Sequence, residues 1–153
     1  MPPTLQVASI LLCVPLIWLS VVDIQTYRIP DLASFLVATL GIFTITRISH
    51  LILLPHLLAG ILGFIFFATV GALSYRIGKK EYLGLGDAKL FGASLIWVGP
   101  LGAPSTLLIA SASGIIFAIY TKLRHSDATE EKVPFGPFLS FGLVLVWLYG
   151  PLI

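Results

Sequence analysis

Two aspartates stand out in a chain with few other groups able to do chemistry: Asp23, in Val21-Val22-Asp23-Ile24-Gln25, and Asp87, in Gly84-Leu85-Gly86-Asp87-Ala88-Lys89-Leu90. Peptide hydrolysis near neutral pH benefits from two carboxyls that share one proton. Like charges about 3 Å apart do not both ionise, so one group keeps its proton while the other accepts one from water. Water is activated and the scissile carbonyl polarised in one step, with no metal, covalent intermediate or cofactor required. Such a pair titrates as a unit, which leaves acid and base unassigned. Taken singly, each aspartate has a plainer reading. Asp87 before Ala-Lys-Leu is a good helix N-cap, and Asp23 is a carboxylate solvated at a helix end. Capping does not account for Gly84 and Gly86, which are costly inside a helix and useful where backbone must approach another chain.

The remaining candidates point to structure. His50, His56 and His125 form no His-Glu-x-x-His pattern and there is no cysteine pair, so no metal site is expected. Ser111-Ala112-Ser113-Gly114, and Gly60, Gly63 and Gly71, are small residues of the kind that let membrane helices approach closely. Cys13 has no partner for an internal disulfide and reads as a packed apolar residue. The few basic residues do not suggest nucleic-acid binding.

The elements that must carry the aspartates are read against lipid. The 153 residues are 58% hydrophobic and 10% charged, with a mean hydropathy of +1.02, against roughly 25% charged in soluble domains. Apolar runs and their breakers predict an all-α, polytopic integral membrane bundle, a single domain over 1–153. It has about six transmembrane helices: 4–22, 32–47, 51–75, 88–100, 103–122 and 135–151. Before Arg28 there is no Lys or Arg, so the first 22 residues lack the basic region of a secretory signal and are expected to stay. Eight of the 9 basic residues fall in or beside the connections near 23–31, 76–87 and 123–134, and only Arg47 lies on the other side. By the positive-inside tendency those connections are cytoplasmic and both termini periplasmic. All 7 acidic residues lie on the cytoplasmic side, so an active site should open there. The fourth span is short. Ala88 to Gly99 makes roughly 18 Å of helix against about 30 Å of hydrocarbon, which sets Asp87 on the order of 10 Å inside the membrane. Irregular backbone at that depth must line protein or a wet cavity, and an ionisable group there is a functional candidate.

Three segments in order carry a resemblance: Asp23 with Tyr27-Arg28-Ile29-Pro30-Asp31, then Gly84-Leu85-Gly86-Asp87-Ala88-Lys89, then Pro134-Phe135-Gly136-Pro137-Phe138-Leu139. Together they resemble the signatures of the bacterial type IV prepilin peptidases over nearly the whole chain. The resemblance implies an aspartic endopeptidase of the bacterial inner membrane. Its partners would be membrane lipid and a prepilin or pseudopilin, whose basic leader it removes on the cytoplasmic side. The matching catalytic positions are Asp23 and Asp87. Larger members of that family also methylate the new N-terminus and carry an added segment with paired cysteines. This chain has one cysteine and no room for that segment, so cleavage alone is expected.

Around the pair, Lys89 either orients substrate and tunes the aspartates or reaches to lipid headgroups. Arg28 fits the signature and also the basic residue expected of a cytoplasmic turn. Pro134, Gly136 and Pro137 form either a non-helical approach beside the cavity or a proline-rich helix start. Glu130 and Glu131 could attract a basic leader, although a solvated loop is the plainer reading. Two other functions share the carboxylates. One is an intramembrane protease of the presenilin or signal-peptide-peptidase kind, which the Pro-Phe-Gly-Pro segment and the small size argue against. The other is a non-catalytic membrane transport subunit that binds ions or protons.

Overall fold

A computed structural model describes residues 3–78, 84–124 and 133–152, and the regular elements in them are all helical. They are α1 (Pro3–Thr26), α2 (Asp31–Ile48), α3 (His50–Gly78), α4 (Leu85–Arg124) and α5 (Gly136–Tyr149). The first four are long and apolar enough to cross a membrane, whereas α5 has 14 residues. Large apolar side chains such as Leu51, Phe66 and Ile116 face outward along the helices. A surface of that kind suits hydrocarbon as the solvent, and the protein is a membrane protein. Most of the expected connections 76–87 and 123–134, with Glu130 and Glu131, lies outside the described residues.

Local chemistry explains where α1 stops. Tyr27 adopts φ 53, in the left-handed region, while its N–H still reaches the Asp23 carbonyl at 2.8 Å. That conformation ends a helix and is costly for a residue with a Cβ. Pro30 follows. It holds residue 29 out of helix and takes the N-cap position of α2, so four residues reverse the chain.

The expected spans 88–100 and 103–122 form one 40-residue element that breaks at Gly99, with φ 69 and ψ −174. Only glycine adopts that conformation freely, and a Cβ there would also lie 2.7 Å from His56 Nε2. Pro100 has no N–H to give the Ile96 carbonyl. His56 Nδ1 of α3 lies 2.9 Å from that oxygen and takes the missing donor's place. Packing against α5 shows that α4 turns back at the break. Val146 of α5 lies against Gly102, Gly142 against Thr106, and Phe138 against Gly114 and Phe117. The second half of α4 is therefore antiparallel to α5.

Helices in lipid gain little from hiding apolar surface and associate through close packing and small residues. Here α3 and α4 approach at Gly60 and Gly92, where a Cβ on either would lie within 2.9 Å of the other's carbonyl oxygen. Trp97, only 1% exposed, donates its indole N–H to the Val37 carbonyl at 2.8 Å and meets Trp147 edge-on at 5.0 Å. Those contacts fix α2 and α5 to the first half of α4.

Candidate active site

Asp23 lies in the last turn of α1 and is 4% exposed. Its Oδ2 accepts a 2.9 Å hydrogen bond from the N–H of Gly136, the first residue of α5. A helix start leaves backbone N–H groups without partners, and Phe135 at the N-cap of α5 supplies no side-chain acceptor. The carboxylate of α1 does that work from another element, at the positive end of the α5 dipole. The geometry demands glycine: a Cβ at position 136 would lie 2.7 Å from Asp23 Oδ2 and 3.2 Å from Ile29 Cδ1.

Asp87 lies in the first turn of α4 and is half-buried. The Gly84 backbone hydrogen-bonds its carboxylate, and Asp23 is close enough for the two charges to interact. The approach is fixed by Gly86, where a Cβ would lie 3.0 Å from Ile29 Cβ. Ile29 is thus wedged between Gly86 and Gly136, and through it the connection after α1 touches the starts of both α4 and α5.

Among the other expected site residues, Gly84 is exposed beside Asp87, and Pro134 and Pro137 are half-buried at the start of α5. Pro137 occupies the first turn, where a missing N–H costs nothing. Arg28 is exposed in the α1–α2 connection, its carbonyl 3.4 Å from Thr26 Oγ1. Lys89 is paired across elements. Its Nζ lies 2.7 Å from Asp31 Oδ1 of α2, an anion that offsets a cation near the start of a helix. Ile29 and Asp31 are the contributors that sequence reasoning left without a role. Opposite charges beside the two aspartates could have suggested the Lys89–Asp31 pair, but nothing distinguishes Ile29 from the other aliphatic residues.

The arrangement holds one carboxyl rigidly against an amide and sets a second, more accessible one within its field. Proton exchange with a water between them is the chemistry this permits. A cavity of about 210 Å³ opens between α3 and the start of α4, lined by Ala68, Gly71, Ala72 and Gly84 among others.

The family model described as the type IV leader peptidase family matches residues 10–119, a stretch that includes both aspartates. The chain is 36% identical over 136 residues to the type 4 prepilin-like proteins leader peptide-processing enzyme of Escherichia coli O78:H11, covering 88% of this chain and 49% of that protein. It is 32% identical over 127 residues to a prepilin leader peptidase/N-methyltransferase of Escherichia coli K12, covering 83% and 56%. A protein of the same name from Burkholderia pseudomallei is 28% identical over 149 residues, covering 97% and 48%. The chain spans about half the length of the curated relatives it matches. No solved structure matches it.

Proposed function

The chain belongs to the type IV leader peptidase family, and from that membership we propose that it is an aspartic endopeptidase. It removes the basic leader of type IV prepilins or pseudopilins at the cytoplasmic face of the bacterial inner membrane. Asp23 and Asp87 are its catalytic pair. The observation that carries the reading is the meeting of three distant segments: the Asp23 carboxylate on the Gly136 amide, within the field of Asp87, with Ile29 between Gly86 and Gly136.

In the reaction the pair shares one proton and holds a water. The ionised carboxyl takes a proton from that water as its oxygen attacks the scissile carbonyl, and the protonated carboxyl hydrogen-bonds the carbonyl oxygen. Collapse of the tetrahedral intermediate breaks the C–N bond, and the proton taken from water passes to the leaving amine. The Gly136 amide keeps Asp23 from swinging away and, being neutral, does not remove its charge. The apolar helix of the substrate stays in lipid beside the bundle while its leader reaches the pair. Six crossings place both termini outside: α1, α2, α3, the two halves of α4, and α5. At 14 residues α5 makes only about 21 Å of helix, so its start, and Asp23 with it, lies below the membrane surface. The proposal concerns cleavage. Methyl transfer, named for the relatives, is read separately by adding methyl-labelled S-adenosylmethionine to the same reaction.

The test is cleavage of a prepilin by the purified protein in detergent, with the new N-terminus mapped. Asp23→Asn and Asp87→Asn each lower the rate by about 10²–10⁴-fold, and the double variant is no worse than either single one, because the two act as a unit. Full cleavage by either membrane-inserted single variant rules out the pair.

A further inference from the structure

A cavity of about 870 Å³ lies at the end of the bundle remote from the aspartates, between the first turns of α1 and the last turns of α2. Leu5, Ala8 and Leu11 line one wall and Leu40 and Phe43 the other, with buried Trp97 at the floor. At its rim stands Arg47, in the last turn of α2, with its guanidinium 4.9 Å from the centre of the Phe43 ring. No other Lys or Arg occurs between Arg28 and Arg76. The described acidic residues, Asp23, Asp31 and Asp87, gather at the opposite end, so Arg47 has no carboxylate of this chain to pair with among the described residues.

We propose that this groove is a phospholipid site, with an acyl chain lying between α1 and α2 over Trp97 and the headgroup phosphate on Arg47. The complementarity is specific in two ways. The walls are largely apolar, and Arg47 is the one Lys or Arg among the lining residues, its guanidinium over the Phe43 face, a geometry that suits a planar fork onto phosphate oxygens. The shape also selects lipid over the apolar helix of a substrate. Residues 27–30 join α1 to α2 at the aspartate end, so the groove closes in that direction. A helix about 10 Å across could not run from the aspartates into it without parting the two elements. An acyl chain arriving from the Arg47 face meets no such obstacle.

The site is tested by tryptophan quenching. A parent variant with Trp18→Phe and Trp147→Phe leaves Trp97 as the one tryptophan of the 3. It is titrated in detergent with phosphatidylglycerol brominated on its acyl chains. Saturable quenching of Trp97 is expected. Arg47→Gln raises the half-saturating lipid concentration about tenfold, the worth of one charge-assisted hydrogen bond. Ala8→Phe, which fills the groove, abolishes the saturable component, and inorganic phosphate does not compete. Monodisperse elution establishes that each variant is folded, and Arg47→Gln alone decides the matter if Ala8→Phe is not. The proposal is overturned if quenching is absent or rises without saturation, as for lipid merely surrounding the bundle. Equal quenching in folded Arg47→Gln overturns it too, as does release of the quenching by added prepilin, which would give the groove to the substrate. None of these readings depends on proteolysis, so failure here and failure of the aspartate pair are separable.

Discussion

Gly136 stands where the position of one carboxylate is decided. Its N–H holds Asp23 Oδ2 at 2.9 Å, and a methyl group in place of its hydrogen would lie 2.7 Å from the same oxygen. Carbon and oxygen do not approach so closely without a bond, so Gly136→Ala must displace either the carboxylate or the start of α5. The expected outcome is a fall in kcat of about 10²-fold, the effect of misplacing a reacting group by an ångström, with KM little changed. Steady-state cleavage of a prepilin, beside a thermal melt showing that the bundle persists, is the measurement. A kcat within twofold of the parent would mean that Asp23 is not held by this contact during catalysis. Much of this neighbourhood was legible in the sequence. Carboxylates bordering apolar spans and paired glycines both carry a cost, and a costly residue is conspicuous. Ile29 was illegible for the opposite reason: its role between Gly86 and Gly136 is purely steric, and an isoleucine in a chain that is 58% hydrophobic carries no mark of it.

Between elements, α2 and α4 are linked at their starts by Asp31 and Lys89, 2.7 Å apart and with 76% and 41% of their side chains exposed. An ion pair so open to solvent contributes roughly 0–1 kcal/mol to stability, so its effect is expected in alignment rather than in melting. Asp31→Lys sets two cations face to face beside the Gly86–Ile29 contact and should slow cleavage several-fold. The swap Asp31→Lys with Lys89→Asp restores the attraction and should recover most of the rate, whereas a lysine needed to touch substrate would leave the swapped protein as slow as Lys89→Asp alone. At the other end of α4, His56→Ala removes the group facing the Ile96 oxygen, 2.9 Å away. A buried carbonyl left without a donor costs about 1–3 kcal/mol, seen as a lowered Tm with cleavage at permissive temperature retained. The helices and most of their limits followed from hydropathy and breakers, and the Gly99–Pro100 turn was visible as a turn. That a histidine 40 positions away completes it was not, because the partner of an orphaned carbonyl is chosen by tertiary contact. α5 has 14 residues where 135–151 was expected, mainly because Gly150, with φ 87, and Pro151 end it two residues early, while its start against Asp23 comes one residue late.

Across the whole molecule the charge distribution makes a claim about direction that the bundle's geometry sharpens. The turn between α2 and α3 at Ser49 and the stretch before α5 at Val133 lie at opposite ends if the chain crosses the membrane with each of α1, α2, α3, the two halves of α4, and α5. With the proposed six crossings, eight of 9 basic residues belong in sequence to the connections on the Val133 side, which the positive-inside tendency assigns to the cytoplasm. The chain has one cysteine, Cys13, so in a Cys13→Ala background single reporters can be placed at Ser49→Cys and Val133→Cys. A membrane-impermeant maleimide added to intact spheroplasts should label position 49 and reach position 133 only after lysis. The proposed leader removal on the cytoplasmic side requires that arrangement, since Asp23 lies at the same end as Val133, against Gly136. Labelling of position 133 in intact spheroplasts would put the aspartates on the far side of the membrane from any uncleaved leader. In that event no arrangement of the two carboxyls, however well suited to hydrolysis, could process the substrate.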